Sequence, residues 1–157
     1  MKLVCLSYGD GASIPLVHAH RNVKGGRNVS PAFRWEDPPT STRSFAFSII
    51  DPHPVARSWV HWLLVNIPFR TRELPEGCSR SASLPAGIRE MVNTFGERGY
   101  GGPAPPAGSG PHPYVATLYA LNVEGLTLGD DTPLSRFLRE IEGKVADEAS
   151  VRGVFER

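Results

Sequence analysis

In the stretch Arg43-Ser44-Phe45-Ala46-Phe47-Ser48-Ile49-Ile50, Phe45, Phe47 and Ile49 fall on one side of an extended backbone and small residues on the other. Strand side chains alternate between faces, so the spacing predicts a β-strand with one face in a core. Moving outward, His61-Trp62-Leu63-Leu64-Val65-Asn66-Ile67 is a nearly continuous apolar run closed by Pro68, the pattern of a central strand covered on both faces. Tyr114-Val115-Ala116-Thr117-Leu118-Tyr119-Ala120-Leu121 is rich in aromatic and β-branched residues and predicts a third. Shorter strands are expected near Lys2–Leu6 and Val151–Phe155, and Ser30–Trp35 fits either a strand or an ordered loop.

Helical spacing is confined to the end of the chain. Leu134, Phe137, Leu138 and Ile141 recur three and four residues apart, with Thr132 placed to cap, Pro133 suited to the first helical position and Gly143 to close the helix. Lys144–Ala149 can form a second short helix before the last strand. Strands followed by helices, without alternation, argue against a βαβ repeat and for a mainly β fold: a sandwich with one or two peripheral C-terminal helices.

The bulk composition agrees. A chain of 157 residues with no internal repeat or linker is one domain, spanning residues 1–157. Gly and Pro, 16 and 15 in number, make up about a fifth of it, above the usual share and typical of turn-rich β proteins. With 17 Lys+Arg against 16 Asp+Glu the net charge is +1, which supplies no footprint for a phosphate backbone, so a nucleic-acid binder is excluded. Cys5 and Cys78 are too few for a disulfide scaffold and lack metal-ligand spacing, so they read as small buried residues in a reducing compartment. The apolar run at Leu3–Leu6 is too short for a secretory leader or a membrane span, which leads us to expect a cytoplasmic protein.

Gly99-Tyr100-Gly101-Gly102-Pro103-Ala104-Pro105-Pro106-Ala107-Gly108-Ser109-Gly110-Pro111 cannot be regular, yet its prolines restrict it, which predicts a shaped and fairly rigid loop. Three titratable groups stand at strand ends beside it: Asp51 closes the first strand, His61 opens the second, and His112 precedes Tyr114 and the third. If those ends meet, a carboxylate, two imidazoles and a phenol share one mouth. Such a site suits a small anion: imidazoles donate N–H bonds, Asp51 can set their tautomers, and the glycines can offer backbone amides.

A set of short segments raises this reading. Asn28-Val29-Ser30-Pro31, Trp35, Ser44-Phe45-Ala46, Asp51-Pro52-His53-Pro54, Trp59-Val60-His61-Trp62, Asn66-Ile67-Pro68, Gly99-Tyr100-Gly101-Gly102-Pro103, Pro105-Pro106, Gly110-Pro111-His112 and Tyr114-Val115 occur in an order that resembles the phosphatidylethanolamine-binding protein family. The likeness is greatest to its short prokaryotic, Raf kinase inhibitor-like branch and runs from about Gly9 to the end. It implies an antiparallel, Greek-key β-sandwich whose small pocket binds phosphate-like or carboxylate anions, including a phosphoethanolamine headgroup. Position by position, Asp51, His61, His112 and Tyr114 match the family's polar pocket residues, and Trp59, Pro54, Gly102, Pro105 and Pro106 its walls. Some members inhibit serine proteases or bind kinases, so the resemblance does not fix one biology. It also implies a homodimer.

Three departures stand out. His53 takes the place of the second aspartate in the usual Asp-Pro-Asp-x-Pro, which predicts a more positive pocket. His112-Pro113-Tyr114 replaces His-Arg-Tyr, a loss that compensates the first if Arg and Asp form a pair. Ala104 stands where prokaryotic relatives often carry cysteine, removing any redox role there. The chain stops at Phe155-Glu156-Arg157, right after the last expected strand, so a mouth more open or covered by another subunit is expected.

Other classes fare less well. His53, His61, His112 and Asp51 would be an acceptable zinc set, but the family pocket is not metallic, and no metal or cofactor is expected. No Gly-x-Ser-x-Gly elbow occurs and neither cysteine falls in the matched pocket segments, so an enzyme is not expected. No basic amphipathic helix or long apolar groove is present to hold the chain on a bilayer, and no stable membrane insertion is expected. Serine protease inhibition through a surface loop, Glu36–Arg43 or Arg70–Ile88, is the alternative, although no disulfide clamps either loop. The expected function is therefore binding of a small anion or phosphate headgroup, with a possible regulatory protein partner, a protease or a kinase.

Overall fold

The computed structural model describes all 157 residues. Its strands are β1 (Lys2–Cys5), β2 (Phe33–Glu36), β3 (Ser44–Asp51), β4 (Trp59–Pro68), β5 (Glu73–Leu74), β6 (Arg89–Glu90), β7 (His112–Leu121) and β8 (Val145–Phe155), with one α-helix, α1 (Leu134–Ile141), and a single 3-10 turn at Leu16–His18. Every strand pair is antiparallel: β1-β2-β5 make a small sheet, and β6-β4-β3-β7-β8 a larger one. Ser30–Trp35 thus resolves into a strand beginning at Phe33.

The alternation in β3 works as the sequence predicts. Phe45, Phe47 and Ile49 join Phe33 and Trp35 of the small sheet in one core between the layers. Aromatic rings interlock there edge-on: Trp35 meets Phe45 at 5.6 Å and Phe47 meets Trp62 at 5.7 Å between centroids. The opposite face of the large sheet carries Ala46, Leu63, Val65 and Leu121, and α1 covers it with Phe137 and Ile141. β4 is therefore buried on both faces, as its unbroken apolar run requires.

Two expectations at the C-terminal end are corrected. Lys144–Ala149 is not a second helix: β8 starts at Val145 and pairs with Leu121 and Ala120 of β7. A six-residue helix would gain too few hydrogen bonds to offset its nucleation, whereas the strand's ladder is already templated by β7. Thr132 does not cap α1 either; its hydroxyl donates to the Gly129 carbonyl at 2.7 Å, and Pro133 takes the cap position without a side-chain bond. Gly143 does close the helix, in the left-handed region at φ 73°. Both cysteines are free; Cys78 is buried and Cys5 half-buried, and burial pushes the Cys78 thiol up to about 11.

Candidate ligand-binding site

Because β3 lies between β4 and β7, the end of β3 meets the start of both neighbours. Asp51 pairs with Trp59, and Ile50 with Val115, so Asp51, His61, His112 and Tyr114 reach one end of the sheet although some sixty residues separate the first from the last. A cavity of about 220 Å³ opens there, lined by those four together with Trp59, Pro105, Pro106, Val55, Ala56, Phe95 and Ala104. A local irregularity contributes. Ile49 pairs with Trp62 but Ile50 with Val60, leaving His61 as an extra residue in β4, and a β-bulge is a device that redirects a side chain at a sheet's end.

The polar floor is a hydrogen-bonded chain. His112 and Asp51 are both buried, and His112 Nδ1 lies 2.6 Å from Asp51 Oδ2. The other carboxylate oxygen accepts the His53 amide at 2.8 Å, so both oxygens are oriented. His112 Nε2 faces the Ser109 hydroxyl at 2.9 Å. His61 Nδ1 donates to the Gly101 carbonyl at 2.6 Å, which fixes Nε2 as the acceptor nitrogen of the neutral ring. Burial drives its pKa from 6.5 down to about 4, against a smaller upward pull from the Gly101 carbonyl and Asp51. Tyr114 is only 1% exposed, burial raises its phenol well above the usual range, and its hydroxyl bonds to no protein acceptor.

His53, Pro54 and Gly102 do not line the cavity. The His53 ring instead stacks on His112, 3.8 Å between centroids and 21° from parallel. Pro54 is exposed in the turn after β3. Gly102 is buried behind the wall, where a Cβ would come within 2.0 Å of the His18 carbonyl oxygen, so no side chain fits. The glycine loop also spends its amides internally: Gly101 donates to the His61 carbonyl and Gly102 to Asn28 Oδ1, leaving neither for a ligand. No group of three His, Cys, Asp or Glu side chains is arranged to hold a metal ion. The imidazoles of His61 and His112 are turned to Gly101 and Asp51 instead.

Phe95, Val55 and Ala56 belong to the wall and escaped sequence reading, as did Ala104 as a lining residue. Phe95 stacks on His20 at 4.3 Å and meets Trp59 edge-on at 5.1 Å. The only signal for it is local: Asn93 Oδ1 accepts the Phe95 and Glu97 amides, an Asx turn that Asn93-Thr94-Phe95-Gly96 can encode.

A two-layer antiparallel sandwich with a small, polar-floored cavity at one end of its large sheet defines the class of fold that the chain adopts. This chain belongs to the phosphatidylethanolamine-binding protein family, whose sequence model matches residues 7–156. It is 34% identical over 157 residues to a UPF0098 protein of Aquifex aeolicus, covering all of this chain and 89% of the relative. The UPF0098 protein YbhB of Escherichia coli is 37% identical over 133 residues, 83% of this chain and 84% of YbhB. Among solved structures, that of Escherichia coli YbcL, described as a new member of the mammalian PEBP family, superposes with a TM-score of 0.92 at 29% identity, covering 99% of this chain and 98% of YbcL. No helix is long and apolar enough to cross a membrane.

Proposed function

We propose that this protein binds a small anion, a phosphate or carboxylate group such as a phosphoethanolamine headgroup carries, in the cavity at the end of β3, β4 and β7. The observation that carries this reading is a pair of donors on residues that line the cavity: the Trp59 Nε1–H is buried without an acceptor, and the Tyr114 hydroxyl bonds to no protein group. Leaving a buried donor such as the Trp59 Nε1–H unpaired costs roughly 1–3 kcal/mol, which an anionic oxygen would return. At about 220 Å³ the cavity is smaller than the usual range for drug-sized ligands, so it suits a headgroup and not the long acyl chain of a lipid. No Lys or Arg lines it, and Asp51 is matched by His112. Hydrogen bonding, not a surplus of positive charge, is therefore what recognises the ligand.

The test is a titration with phosphate, acetate and phosphoethanolamine at constant ionic strength, followed through the His61 and His112 ring signals by NMR. Saturable shifts are expected, and Tyr114→Phe should weaken binding roughly tenfold or more, the worth of a hydrogen bond to a charged group. Ring signals that do not move, or a Phe variant that binds as well as the parent, would refute the assignment.

A further inference from the structure

We propose that Ser109, His112 and Asp51 act as nucleophile, base and orienting acid, and that the protein hydrolyses small activated acyl esters through an acyl-Ser109 intermediate. This stands apart from the anion-binding reading and rests on a different observation. Ser109 Oγ is 2.9 Å from His112 Nε2, and His112 Nδ1 is 2.6 Å from Asp51 Oδ2. That is the connectivity by which a serine hydroxyl is activated on several unrelated folds, where it is recognised by geometry and not by sequence order.

The supporting contacts are also present. Asp51 is 2% exposed and held through its second oxygen by the His53 amide, so the carboxylate cannot turn away from the ring. With Nδ1–H directed at Asp51, the neutral ring presents Nε2 to Ser109 as a base. The Ser109 hydroxyl has a second acceptor, the Pro106 carbonyl at 2.6 Å, and turning its one proton from Pro106 to His112 is the activating rotation. Ser109 is half-buried, reachable from solvent, and sits between Gly108 and Gly110 at φ 77° and 82°, in a tight turn that replaces the absent Gly-x-Ser-x-Gly elbow. The amide of Gly110, the residue after the nucleophile, donates to no acceptor in the protein, and that position commonly supplies one oxyanion donor. His112 and Pro106, the two residues that Ser109 bonds, both line the cavity, whose Pro105 and Ala56 offer an apolar rest for a short acyl chain.

The chemistry balances without a co-reactant other than water. Ser109 Oγ bonds the ester carbonyl carbon as its proton passes to His112 Nε2. The tetrahedral adduct then expels the alkoxide or phenoxide, which takes that proton. A water molecule, deprotonated by the same nitrogen, attacks the acyl-serine, releases the carboxylic acid and returns the proton to Oγ.

The full-length chain is incubated with diisopropyl fluorophosphate, which forms an Oγ–P bond with loss of fluoride, and with p-nitrophenyl acetate. One adduct per chain is expected by intact mass, mapping to Ser109, and Ser109→Ala should abolish it and lower p-nitrophenol release roughly a hundredfold. Ser109→Cys tests the geometry by a second route: with His112 beside it, the introduced thiol should react with iodoacetamide at least tenfold faster than Cys5 or Cys78, and His112→Gln should remove that advantage. An unlabelled native protein, an adduct elsewhere, equal ester hydrolysis by parent and Ser109→Ala, or an introduced thiol in Ser109→Cys no faster than the native cysteines would each overturn the proposal.

Discussion

His61 is buried with its Nδ1 proton on the Gly101 carbonyl, and burial lowers its pKa from 6.5 to about 4. The unfolded chain therefore takes up a proton near pH 6.5 that the folded chain refuses until about pH 4, so stability is fully present above that window and lost as pH falls through it. A shift of this size corresponds to on the order of 3 kcal/mol. Chemical unfolding between pH 7.5 and 4 should show that decline in the parent and a much flatter profile in His61→Gln; superimposable curves would contradict it. The His112 ring makes a different contact, its Nδ1 lying 2.6 Å from an Asp51 carboxylate oxygen. Both histidines look alike in the sequence, each at a strand end. What separates them is a carbonyl in one case and a carboxylate 61 residues away in the other, which no local pattern encodes. The sequence expectation that both rings donate to an anion is revised accordingly: His61 presents an acceptor.

At the scale of the element, β4 shows how far periodicity can be read. Trp62 and Leu64 face the inter-sheet core, and Ile67 joins them although its parity is wrong for an unbroken strand. The pairing explains it: Phe45 pairs with Ile67 but Phe47 with Leu64, so two residues, Val65 and Asn66, stand opposite Ala46. Asn66 is in the left-handed region at φ 59°, and its amide side chain accepts from the Leu126 N–H at 2.7 Å and donates to the Leu126 carbonyl at 3.2 Å. A continuous apolar run hides such a shift, because every register presents hydrophobic side chains to both faces. β3 was legible for the opposite reason, since large and small residues alternate there. β8 was half missed because Val145-Ala146-Asp147-Glu148 carries no strong period and only β7 holds it extended. Asn66→Ala should cost about 2–3 kcal/mol, two hydrogen bonds plus the left-handed penalty, while Asn66→Gly should recover roughly 1 kcal/mol of it. Urea midpoints at unchanged slope measure this, and an alanine variant as stable as the parent would remove the bulge from the account.

For the molecule as a whole, the sandwich could be read from three strands and one helix, and the family resemblance named the polar residues that the large sheet brings together. The wall could be read only in part: Trp59, Pro105 and Pro106 line the cavity, whereas His53, Pro54 and Gly102 lie in matched motifs yet sit outside it, and Phe95 arrives from a turn with no motif of its own. Adjacency of β4, β3 and β7 makes the cavity, so whatever fills it ties three strand ends together and should be felt in global stability. A ligand that binds only the folded state adds about 2.7 kcal/mol at a concentration one hundred times its dissociation constant. For a chain of 157 residues this raises the melting temperature by roughly 5–10 °C. Phosphate should produce that rise, sodium chloride at matched ionic strength should not, and Tyr114→Phe should lose most of it. An equal rise with chloride, or an undiminished one in the Phe variant, would place the stabilisation on general salt effects and take the ligand out of the cavity.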